Sequence, residues 1–97
     1  MIVESEFIET KRGAAFGIKV WLGDSPLLII KGEKGYLACG YFDTKVIEKM
    51  KDCCAIISGV KTFEDMKHKR VSYVSKKAKK LGIIKGMPGL RALDKLI

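Results

Sequence analysis

The hydrophobic period of this chain changes once, near residue 40, and that change limits the folds open to it. Before it, apolar residues alternate. From Ala14 to Leu22, the side chains of Phe16, Ile18, Val20 and Leu22 point one way, and those of Ala15, Gly17, Lys19 and Trp21 the other. That is the pattern of a half-buried strand. Residues 2–10, with Ile2, Val3, Phe7 and Ile8, predict a strand before it, joined by a turn at Lys11-Arg12-Gly13. Gly23-Asp24-Ser25-Pro26 is strong turn chemistry. Leu27-Leu28-Ile29-Ile30 is an unbroken apolar run, which predicts a strand buried on both faces. Gly32-Glu33-Lys34-Gly35 turns the chain into a further strand, Tyr36 to Cys39, closed by Gly40. The first 40 residues thus read as an antiparallel meander of four strands.

Beyond Gly40 the spacing becomes helical. Asp43 is a good N-cap, and Val46, Ile47 and Met50 follow on one face, with Cys53 or Cys54 continuing the stripe. Ala55 to Val60 reads as a strand, so strand, helix and strand form a crossover unit. Thr62-Phe63-Glu64-Asp65 resembles a capping box with Asp in place of Glu. Val71, Val74, Ala78 and Leu81 make one apolar stripe of a basic helix, with Lys76, Lys77, Lys79 and Lys80 turned away from it and Gly82 as its stop. Ile83-Ile84-Lys85 reads as a short extended piece. Gly86-Met87-Pro88-Gly89 then turns into a final helix with Leu90, Leu93 and Ile97 on one face. The expected fold class is α+β: an N-terminal antiparallel β meander, a strand–helix–strand unit, and two or three C-terminal helices.

Length and composition narrow the function classes. With 97 residues, 47% apolar and 31% charged, the chain is expected to be one domain over residues 1–97 and not a disordered one. A domain this small leaves apolar surface uncovered, which favours self-association. No apolar run approaches the ~18 residues of a membrane span, and the start lacks the signature of a secretory signal. The expectation is a cytoplasmic protein with no membrane partner. Three cysteines, Cys39, Cys53 and Cys54, make no even disulfide framework, and with one histidine, His68, no metal site is expected within the chain.

The net charge of +8 is carried entirely by residues 61–97, and no acid lies between Met66 and Leu93. Such a field suits phosphate-rich polymers, anionic lipids or acidic proteins, or simply a solvated helix face. Lysine outnumbers arginine sixteen to three. Since bidentate phosphate and base recognition favour arginine, nucleic acid ranks behind the solvated face.

Three places could carry chemistry. Cys39 ends a strand, Gly40 leaves room beside it, and Asp43 caps the next helix; a thiol near a helix N-terminus is acidified, although the Asp43 carboxylate opposes this. The plainer reading of Cys39 is a small core residue. Gly59-Val60-Lys61-Thr62 joins a strand to a helix, where free N–H groups, the Lys61 charge and the Thr62 hydroxyl could hold an anion; it lacks P-loop spacing, and its plainer reading is a Thr cap. Gly86-Met87-Pro88-Gly89 places two glycines before a helix, another potential anion loop, though Pro88 removes one N–H. The vicinal Cys53-Cys54 reads as helix-end packing. His68, among Lys67, Lys69 and Arg70 with no carboxylate neighbour to orient it, reads as solvated. Trp21 lies on the smaller face of its strand, beside Ala15 and Gly17, a face suited to cover by another subunit.

These residues carry a family resemblance. Gly35-Tyr36-Leu37-Ala38-Cys39-Gly40, followed by Asp43, resembles the Gly-Tyr-x-x-Cys-Gly-x-x-Asp segment of YunC-like proteins. Gly59-Val60-Lys61-Thr62 is similar to that family's Gly-Val-x-Thr turn. Ala78-Lys79-Lys80-Leu81-Gly82-Ile83, Gly86-Met87-Pro88-Gly89 and Ala92-Leu93 resemble its closing segment. The resemblance runs in order from about Gly35 to Ile97. It implies a small α+β protein of unknown function whose N-terminal strands, here residues 1–34, build a homotetramer. Cys39, Gly40, Asp43, Gly59, Thr62, Gly86 and Gly89 are the motif positions. Pro88 departs from the small hydroxyl residue usual in the family, which takes a hydroxyl and an N–H away from that loop.

Together these readings rank a self-assembling protein first, with a small anion bound at the turns of Gly40, Gly59, Lys61, Thr62, Gly86 and Gly89. A small enzyme or thiol-dependent ligand site using Cys39 and Asp43 comes second. Nucleic-acid binding through the basic C-terminal third comes third.

Overall fold

The structure, a computed structural model, describes residues 2–97. Among them six strands form one sheet in sequence order. They are β1 (Val3–Thr10), β2 (Gly13–Trp21), β3 (Pro26–Lys31), β4 (Tyr36–Ala38), β5 (Cys54–Ile56) and β6 (Tyr73–Val74). Helix α1 (Thr44–Lys49) links β4 to β5, α2 (Phe63–His68) lies between β5 and β6, and α3 (Lys76–Lys80) and α4 (Gly89–Leu96) close the chain. β1 to β4 are an antiparallel meander. β5 then runs parallel to β4, as a strand–helix–strand crossover requires, and β6 returns antiparallel. The expected α+β class is what the chain adopts.

The two faces of the sheet are covered unequally. Ile8 pairs with Ala15, Gly17 with Ile30, and Ile30 with Leu37. These residues face the main core, where Phe63 and Met66 of α2 and Leu93 and Leu96 of α4 pack. The opposite face carries Phe7 against Phe16, Ile18 against Ile29, and Val20 against Leu27. Only its β4–β5 end is covered, by Ile47 of α1 on Ala38, Cys54 and Ile56.

This inequality corrects two expectations. β3 is not buried on both faces: Leu28 and Ile30 are fully buried, whereas Leu27 and Ile29 on the uncovered face are only half-buried. The smaller face of β2 is covered at Ala15 and Gly17 from within the chain, with Phe63 of α2 against Gly17, while Trp21 on the same face stays exposed. A Cβ at Gly17 would lie 2.8 Å from Phe63 Cε1. Trp21 sits at the rim of that face, donating its indole N–H to Glu4 at 2.9 Å beneath the Lys19 ammonium.

The C-terminal half differs in detail from the periodicity. The stripe Val71–Val74–Ala78–Leu81 is not one helix. Val74 belongs to β6 and pairs with Ala55. Ser75 then starts α3 as an N-cap, its hydroxyl accepting from Ala78 N–H, and also accepts from Cys54 N–H at 3.0 Å. Steps of three and four between apolar residues cannot tell a helix from a strand followed by a capped turn. Cys54 is a strand residue and not part of the α1 stripe, and β5 ends at Ile56 instead of Val60. Ile83 and Ile84 join no strand: they form an irregular link between Gly82, whose left-handed φ of +87° ends α3, and a turn at Lys85-Gly86. Helix α4 buries Gly89, Ala92, Leu93 and Leu96, leaving Leu90 exposed.

Candidate functional site

The crossover brings the ends of β4 and β5 together, as a ligand site between them would need. Ile57 N–H donates to Ala38 C=O at 2.9 Å, and a Cβ at Gly40 would lie 3.5 Å from Ser58 Oγ. The chemistry at this point is nevertheless structural. Cys39 is 3% exposed, and its sulfur accepts the Leu28 N–H at 3.3 Å inside the core. Asp43 is occupied as the N-cap of α1, accepting from Lys45 N–H at 2.8 Å. The hydrogen bonds of Cys39 and Asp43 therefore lead into different parts of the fold.

The Gly59–Thr62 turn is a cap whose anion is already supplied. Thr62 Oγ1 accepts from Asp65 N–H, and the Asp65 carboxylate accepts the Lys61 N–H at 3.0 Å. Asp65 thus stands where an external anion would sit, and that hydrogen bond holds its carboxyl below the usual range. Gly59 adopts a φ of +72°, which accounts for glycine there.

The Gly86–Gly89 loop has its own backbone fully engaged. Gly86 N–H donates to Val71 C=O, Met87 N–H to Ile84 C=O, and Gly89 N–H to Lys69 C=O, while Pro88 has none to give. An anion cradled by these N–H groups is therefore not what the loop offers. What it does is gather side chains. Its strand-like bridge from Pro88 to Arg70 sets Arg70, Lys85 and Arg91 around one cleft of about 310 Å³. Arg70 Nη1 donates to Gly86 C=O at 2.8 Å, fixing one edge of the guanidinium on the loop. Arg91 is shared with a neighbouring cleft lined by Lys11, Arg12, Asp94 and Lys95. The three arginines of the chain, far apart in sequence, thus line two adjoining clefts. Counting arginines against lysines could not find this, because only the Arg70–Pro88 bridge and the packing of α4 bring them together.

Sequence reading also missed a polar cluster on the α1 side. Tyr36 Oη donates to Asp52 Oδ2 at 2.6 Å, and Tyr73 Oη donates to Glu48 Oε2. Burial, then the bond to Asp52, pushes the Tyr36 hydroxyl far above its ordinary value. Burial likewise pushes the Cys54 thiol up to about 12 and raises Cys53. These thiols stay protonated near neutrality and are poor nucleophiles. Tyr73, tied to Glu48, is partly buried against Ala38, Ile47, Cys54 and Ile56. His68 does have a carboxylate neighbour: Glu64, one helical turn earlier, lies 3.1 Å from Nε2 on an exposed face. Among the described residues no three His, Cys, Asp or Glu side chains converge as a metal site, and no helix is long and apolar enough to cross a membrane.

Comparison with known proteins agrees with the fold and leaves the activity open. The family model described as a domain of unknown function (DUF1805) matches residues 38–96. The chain is also similar to a protein of unknown function from Thermoplasma acidophilum, known from a crystal structure. The two are 37% identical with a TM-score of 0.92, over 98% of this chain and 93% of that one. No curated protein matches.

Proposed function

Since the chain belongs to the family described as a domain of unknown function (DUF1805), we propose a role from its own geometry: a small self-assembling protein that binds an anion beside the Gly86–Gly89 loop. The observation that carries the assembly is the uncovered face of β1–β3. Phe7 is 74% exposed and packs edge-on against Phe16, with ring centroids 5.3 Å apart. Val3 is exposed beside Val20, and Ile18, Leu27 and Ile29 are half-buried on the same face. Contiguous exposed apolar residues of this kind mark an interaction surface more often than a solvated one. A second sheet laid against it would bury both faces at the usual ~10 Å separation. Self-complementary faces favour closed symmetry, and the resemblance to YunC-like proteins points to four chains. One domain over residues 1–97, with the first 34 as its assembling part, fits this reading, as does a cytoplasmic setting for its free thiols.

The anion part rests on Arg70, Lys85 and Arg91 lining one cleft with no acid among them. Native mass spectrometry of the unmodified protein tests the assembly. A closed oligomer at micromolar concentration is the expected result, and a monomer would overturn it.

A further inference from the structure

We propose that the cleft at the Gly86–Gly89 loop and its apolar neighbour form one site for an organic phosphate monoester. The proposal deepens the anion reading above and rests on it. The neighbouring cleft, about 400 Å³, is walled by Val74, Ile83 and Ile84, with Ser72, Tyr73 and Lys79 also in its lining. Ile84 and Lys85 line both clefts, so the two share a wall. Together they have the form of a small-molecule site: a mostly apolar concavity with a few polar groups converging at one end.

The charged end selects phosphate. Arg70 and Arg91 present forked donors, which match the oxygens of a phosphate in pairs. Lys85 adds a third positive charge, suited to a dianion and excessive for a single carboxylate. Neither cleft has an acidic residue in its lining to oppose that charge. The Arg70 bond to Gly86 C=O holds its fork at the rim before any ligand arrives, which lowers the ordering cost of binding. A Cβ at Gly86 would meet nothing within 4 Å, so glycine serves the left-handed φ of +92° that turns the loop there.

The apolar end selects an organic body. Ile84 is 63% exposed at the junction, and a ring or alkyl group esterified to the phosphate would cover it on entering the Val74–Ile83 cleft. Inorganic phosphate reaches only the charged end, so at a pH where both probes are dianions the apolar contact sets their difference in affinity.

Amide chemical-shift titration at constant ionic strength tests this, with inorganic phosphate and phenyl phosphate as probes. Phenyl phosphate should shift both the Arg91 and the Ser72 amides and bind about tenfold more tightly than inorganic phosphate. Ile84→Ser, at an exposed position, should shrink that advantage by weakening phenyl phosphate more than inorganic phosphate. Lys85→Gln should weaken both probes. Equal affinities for the two probes would overturn the organic-phosphate site while leaving the anion reading in place. Binding of neither probe would overturn both.

Discussion

Gly17 and Phe63 are in contact across the main core, so closely that a Cβ on Gly17 would lie 2.8 Å from the Phe63 ring and 2.9 Å from Ile8 Cδ1. The glycine is what lets α2 settle onto β2. Gly17→Ala should therefore cost about 1–3 kcal/mol through overpacking, despite the better strand preference of alanine. Urea unfolding checks this, with the loss appearing as a lower midpoint at constant slope.

A tighter constraint exists at Gly89, where a Cβ would fall 1.6 Å from the Met66 carbonyl oxygen. Backbone is in the way, so α4 must move away from α2 to admit any side chain. Gly89→Ala should lose more stability than Gly17→Ala and should expose Leu93 and Leu96. Thermal melting and binding of a hydrophobic dye report the two effects.

Asp43 separates capping from catalysis. Its carboxylate accepts the Lys45 N–H of α1. Asn caps nearly as well, so Asp43→Asn should leave stability within a few tenths of a kcal/mol, and Asp43→Ala should cost about 1 kcal/mol. Denaturant melts of the two variants decide this, and a general-base role for Asp43 would instead show in any activity lost with Asn.

Stability should fall at both ends of the pH range. Burial raises the folded Cys54 thiol from 9.0 to about 12, and burial with the Glu48 bond raises Tyr73 from 10.0 to about 12. Above their ordinary values the unfolded chain releases these protons while the folded chain retains them, so alkali favours unfolding. On the acid side the Tyr73 hydroxyl lowers Glu48, whose ordinary value is 4.5. That contribution is present above the ordinary value and is lost as pH falls through the lowered one. The melting temperature should form a plateau between roughly pH 5 and 9 and decline on both sides. Tyr73→Phe should flatten part of both declines.

The parts of the fold written in short-range chemistry were legible from sequence. The turn at Gly32–Gly35, the caps at Asp43 and Thr62 and the stop at Gly82 depend on one or two residues each, and all form as expected. Periodicity failed where two elements share a spacing. Val71, Val74, Ala78 and Leu81 fit a helical stripe, but Ser75 turns the segment into a strand followed by a capped helix. Which face of β2 is uncovered could not be read from alternation, since that depends on where α2 and α4 pack. The candidate positions at Cys39 and Gly59 were visible as residues, yet their chemistry is used internally, by the Leu28 N–H and by Asp65. The Arg70–Arg91 cleft was hidden for the opposite reason, because its residues come from distant segments.

If the β1–β3 face joins copies of this chain, a charge placed on it should separate them. Phe7 lies on that face, on the edge strand β1, and is largely exposed, so a charge there leaves the fold of the single chain intact. Sedimentation velocity of Phe7→Glu should show a folded monomer under conditions where the unmodified protein sediments as an assembly. A Phe7→Glu protein that keeps the oligomeric mass of the unmodified chain would mean that the β1–β3 face does not join the copies.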